Sequence, residues 1–101
     1  MSWLARARAR DEVVVAAEPD VVLMHGVAVL RRLGARIIRY DAEAGTAEAR
    51  LRRFTRPALV RLHAEATGAA ATRLHVESDA LVWAPMFRRF RGDLLLLEGP
   101  S

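Results

Sequence analysis

Leu81-Val-Trp-Ala-Pro-Met-Phe-Arg-Arg-Phe-Arg-Gly-Asp-Leu-Leu-Leu-Leu97 is the stretch that decides how this chain folds. On a helix, Trp83, Phe87, Phe90, Leu94 and Leu97 fall at i, i+4, i+7, i+11 and i+14, which is one apolar stripe. Arg88, Arg89 and Asp93 fall off that stripe, and Pro85 suits the first turn. A helix with so heavy an apolar face needs a broad surface to lie on. The residues before it supply that surface as a sheet and a second helix.

The sheet is written in period-two runs. Ala35 to Asp41 reads as a strand, and Gly45 closes the turn that follows it. Thr46 to Phe54 sets Ala47, Ala49 and Leu51 against Glu48, Arg50 and Arg52. Ala58 to Thr67 sets Val60, Leu62 and Ala64 against Arg61, His63 and Glu65. A turn at Gly68 to Ala71 leads into Thr72 to Ala80, with Leu74 and Val76 against Arg73, His75, Glu77 and Asp79. Each strand therefore has one apolar and one charged face, as in an antiparallel sheet with one face covered.

Upstream, Val13 to Val15 is strongly β-prone. Arg6, Arg8 and Arg10 alternate with alanines before it, predicting a first strand from Leu4 to Ala16 with a bulge near Asp11. The alternative is a loose basic arm before a short strand at Val13 to Ala17. These arginines are either the solvated side of an edge strand or a grip for phosphates. Glu18-Pro19-Asp20 starts a helix and Gly34 stops it, with Arg31 and Arg32 in the last turn where cations belong. Its buried face is expected to be Val22, Leu23, Gly26, Val29, Leu30 and Leu33. The expected fold is α+β in β-α-β-β-β-β-α order, with a single antiparallel sheet and two helices packed on one face. At 101 residues it is expected to be one domain.

Val13-Val14-Val15-Ala16-Ala17-Glu18-Pro19-Asp20-Val21-Val22 resembles the opening of small bacterial helix-grip (START-like) proteins, and the element order also resembles TATA-binding-protein-like half-domains. Helix-grip proteins hold apolar ligands between the sheet and the last helix. The resemblance thus implies a small apolar-ligand pocket lined by Trp83, Phe87, Phe90 and Leu94, or, if the sheet does not curve away, a filled core.

Composition excludes several chemistries. There is no cysteine, hence no disulfide, thiolate ligand or cysteine nucleophile. The chain has no G-x-S-x-G elbow, P-loop or G-x-G-x-x-G, and Ser78 is the one serine away from the termini. It is expected not to be an enzyme and to need no cofactor. All 16 basic residues are arginine, and net charge is +4 with 12 acids interspersed. A preference for arginine over lysine in an alanine-rich chain matches GC-rich coding, not selection for phosphate contacts. No signal peptide or membrane segment is read, and a cytoplasmic location is expected.

Two imidazoles stand on the charged face of the last hairpin. Keeping the odd-numbered residues on one face allows two registers. One sets Arg61 opposite Glu77, His63 opposite His75 and Glu65 opposite Arg73. The other sets Arg61 opposite Asp79, His63 opposite Glu77 and Glu65 opposite His75. Either gathers His63, His75, Glu65 and Glu77, a set able to bind a divalent metal, to act as a general acid/base pair, or simply to form cross-strand ion pairs; no metal and no catalysis are expected. A nucleic-acid contact through Arg50, Arg52, Arg61 and Arg73 is disfavoured by the interleaved acids, and Tyr40 is expected to be buried. The second apolar face of the first helix, Val21, Met24 and Ala28, together with Leu95 and Leu96, points to a homodimer interface.

Overall fold

The computed structural model describes residues 9–52, 57–79 and 83–96, the last span without the side chains of Trp83 and Ala84. In chain order the elements are β1 (Ala9–Val15), α1 (Pro19–Arg32), β2 (Ala35–Asp41), β3 (Thr46–Leu51), β4 (Ala58–Gly68), β5 (Ala71–Ser78) and α2 (Trp83–Leu95). The strands form one antiparallel sheet in the order β1-β5-β4-β3-β2. β2 to β5 is a meander of successive neighbours, and β1 joins it at the far edge beside β5. This is the expected α+β architecture.

The alternation of apolar and polar residues sets the two faces of the sheet. Val13, Val15, Ala47, Ala49, Leu51, Val60, Leu62, Ala64, Leu74 and Val76 are all buried on one face, which the two helices cover. All six residues expected on the inner face of α1 are buried, and Val27 joins them. Gly26 is a point of close packing. A Cβ there would stand 3.1 Å from Leu62 Cδ1, 3.5 Å from Leu74 Cδ2 and 3.7 Å from Phe90 Cζ. One glycine thus touches β4, β5 and α2 together. Pro19 opens α1, and Gly34, at φ 95°, follows its last residues in the left-handed conformation that ends many helices.

α2 lies beside α1 and against β1. Phe87, Phe90 and Leu94 are its buried stripe. His25 Nε2 lies 3.4 Å from the Asp93 carbonyl oxygen, so the last two turns of α2 pass the middle of α1. No helix among the described residues is long and apolar enough to cross a membrane.

Two expectations are corrected. The register between β1 and β5 is continuous from Ala9↔Ser78 to Val15↔Thr72, so there is no bulge at Asp11. Asp11 does take an inward-parity position, but it is exposed, and an uncovered charge needs no bulge to reach water. Register shifts occur instead in β2, between Ile37 and Arg39, and near the end of β4, between Ala66 and Gly68. Tyr40 is 45% exposed, although it pairs with buried Ala47 and shares its face. That end of β2 runs beyond the helices. The first-strand residues Leu4 to Arg8, the end of the β3 run at Arg53 and Phe54, Trp3, Ala80, Leu81 and Leu97 lie outside the described residues.

Candidate functional site

The uncovered face of the sheet holds the densest set of polar side chains. Its layout follows from strand register alone. One cross-strand row reads Glu12, His75, His63, Thr46, Asp41 from β1 to β2. The adjacent row reads Arg10, Glu77, Arg61, Glu48, Arg39 and alternates in sign at every step. Opposite charges face each other directly across each strand boundary of that second row, the arrangement that stabilises an open sheet face. On the strands of this face stand Arg10, Arg36, Arg39, Arg50, Arg61 and Arg73 against Glu12, Asp41, Glu48, Glu65 and Glu77, six cations and five anions. The basicity of the whole chain is therefore not concentrated here.

Between the expected hairpin registers, the structure has Arg61↔Glu77, His63↔His75 and Glu65↔Arg73. The two imidazoles stack, with ring centroids 5.8 Å apart and planes 22° from parallel. His75 is held on both sides of its ring. Its Nε2 lies 3.3 Å from Glu65 Oε1 and its Nδ1 lies 3.6 Å from Glu12 Oε2. Arg73 bridges the same two carboxylates, with Nη1 3.9 Å from Glu65 and Nε 3.8 Å from Glu12. These side chains are about half exposed, so each ion pair alone is worth at most about 1 kcal/mol. What they achieve is orientation of the His75 ring.

A depression of about 270 Å³ opens beside the imidazoles, lined by Thr46, Arg61, His63, His75 and Glu77. A second of about 350 Å³ lies across the His75–Glu77 ridge, lined by Arg10, Asp11, Glu12, His75 and Glu77. Among the described residues, no three of His, Asp and Glu already converge as a metal-binding group. Glu12 is the participant that the sequence did not point to. Its parity with Arg10 placed it on a charged face, but only the pairing of β1 with β5 brings it to His75.

Of the residues expected to line a ligand pocket, Phe87, Phe90 and Leu94 belong to the buried core, with Phe90 and Leu94 at 0% exposure. Phe87 and Phe90 stack at 6.2 Å. The side chain of Trp83 lies outside the description. Of the expected interface residues, Met24 is 60% and Leu96 69% exposed. Val21 and Ala28 are half-buried, and Leu95 is half-buried against the core. Ser78 is fully buried, as its inward parity required.

No protein-family model and no curated protein sequence matches this chain.

Proposed function

We propose that the chain is a non-enzymatic interaction module that self-associates through its helix layer. The supporting observation is a pair of exposed large apolar side chains, Met24 on α1 and Leu96 just past the end of α2, the two helices being packed against each other. Val21 and Ala28 extend the patch along α1. A two-fold axis through such a patch brings each residue onto its own kind in the partner copy.

The magnitudes point to a weak dimer. Burying a Met or Leu side chain is worth about 1.5–3 kcal/mol. Two of each across the axis give roughly 6–12 kcal/mol, against an association cost of about 4 kcal/mol or more. Assembly should therefore depend on concentration. The apolar-ligand reading is second: its lining residues are core residues here, so a ligand would have to displace packing between α2 and the sheet. A nucleic-acid contact is third, because the acids of the open face offset its arginines.

Multi-angle light scattering across a concentration series tests the proposal. Wild type should rise from monomer to dimer mass, while Met24→Glu and Leu96→Glu stay monomeric with unchanged circular dichroism. A monomer at the highest concentration, or a dimer indifferent to both substitutions, would refute it.

A further inference from the structure

The His75 cluster does not converge on a metal as it stands, but two of its donors are separated as metal ligands are. Ligands about 2.0–2.1 Å from a tetrahedral Zn²⁺ stand about 3.3 Å from one another. His75 Nε2 and Glu65 Oε1 are separated by 3.3 Å. Two donors are thus already set as neighbours on one coordination sphere. His63 shares the outer face of β4 with Glu65, two residues away, and faces His75 directly across the strand boundary. Directly opposed positions in an antiparallel pair hold their Cβ atoms about 4.5–5.5 Å apart, within chelating reach of two imidazoles. His63 is exposed and its ring stacks on His75, so a side-chain rotation gives up little more than that stacking contact.

The fourth participant is Glu12. It faces Nδ1 of His75 at 3.6 Å, a gap that a small turn of this exposed side chain closes. A carboxylate behind a metal-bound imidazole accepts the Nδ1 proton as a hydrogen bond, leaves Nε2 with its lone pair outward, and fixes the ring. Arg73 contacts both carboxylates and balances their charge in the metal-free protein.

We propose that His63, His75 and Glu65 bind one Zn²⁺-class divalent cation, with Glu12 as the carboxylate that orients His75. Three protein ligands leave one position of the tetrahedron open, and the 270 Å³ depression lies on the imidazole side of the site. The site is built on the sheet and does not rest on the helix-layer dimer.

The test is a titration of the full chain with Zn²⁺ by calorimetry and with Co²⁺ by visible absorption. One equivalent should bind, with Co²⁺ showing the intense bands of four-coordination. His63→Ala and Glu65→Gln should each abolish that spectrum. Glu12→Gln should keep the one-to-one stoichiometry but weaken binding about 10–100-fold. Arg73→Ala should tighten it, and His25→Ala should change nothing. All the substituted groups are at least partly exposed, so circular dichroism should show the fold retained. No binding by wild type, binding that survives His63→Ala, or equal loss with His25→Ala would overturn the site. Unchanged affinity in Glu12→Gln would overturn the role given to that carboxylate.

Discussion

Replacing Gly26 by alanine sets helix propensity against packing at a single atom. In an exposed helix interior, Gly→Ala gains about 1 kcal/mol by restricting the unfolded backbone. Gly26 is buried, and the new methyl would stand 3.1 Å from Leu62 Cδ1. Carbon atoms prefer about 3.5–4.0 Å. Leu62 must therefore yield by a few tenths of an ångström, yet it is itself fully buried, with Leu74 and Phe90 also within 4 Å of the new atom. Overpacking of a close-packed core costs about 1–3 kcal/mol. The balance is a net loss of about 1 kcal/mol, or about 4–8 °C in Tm for a chain of this size. The sign should invert when the obstacle is removed. Leu62→Ala alone should cost about 2–5 kcal/mol by leaving a cavity. In that background Gly26→Ala meets no Cδ1, keeps its propensity gain and fills part of the void, so it should stabilise by about 1 kcal/mol. Urea unfolding followed by circular dichroism measures all four corners of this cycle. A coupling of about 2 kcal/mol is expected. If Gly26→Ala stabilises the wild type and the two substitutions add without coupling, the close approach of α1 to β4 is not what limits this site.

Gly45 offers a sharper contrast with Gly34. Both have positive φ, but a Cβ on Gly45 would meet the Ala64 carbonyl oxygen at 2.9 Å, whereas none would meet anything within 4 Å at Gly34. Gly45→Ala should therefore cost more than Gly34→Ala, which pays about 1–3 kcal/mol for conformation alone; thermal melts of the two variants give the ranking. Thr72 is fully buried and donates from Oγ1 to the Ala17 carbonyl at 2.7 Å. Thr72→Val should lose about 1–2 kcal/mol, and Thr72→Ser should retain that bond, as chemical denaturation would reveal.

The faces of β3, β4 and β5 were legible because alternation is strict there: Ala47, Ala49, Val60, Leu62, Leu74 and Val76 all fall inside as written. The hairpin register was legible only as two candidates. Both paired opposite charges, and sequence parity does not distinguish them. The bulge between Ile37 and Arg39 was hidden because Arg-Ile-Ile-Arg-Tyr shows no break in pattern. Burial of Tyr40 was inferred from the covered face it sits on, and it does share that face with Ala47, yet how far along a strand the cover extends is a tertiary fact. Val27 was missed for a related reason. It stands at the margin of the α1 stripe, and the breadth of the sheet beneath decides that it is covered. Glu12 was out of reach because β1 follows no hairpin. Its partner His75 lies 63 residues downstream, and local chemistry does not name it.

The place of β1 in the sheet also has a kinetic consequence. β2 through β5 are joined by hairpins and can zip in sequence, each closing a short loop. β1 must wait for β5, since Ala9 meets Ser78 across 69 residues. Closing so long a loop costs more entropy than any hairpin and belongs late in assembly. During synthesis, β1 leaves the ribosome well before β5 and is thus the last of these five strands to find its place. Until it does, His75 lacks Glu12, and β5 offers a bare edge to any extended segment nearby.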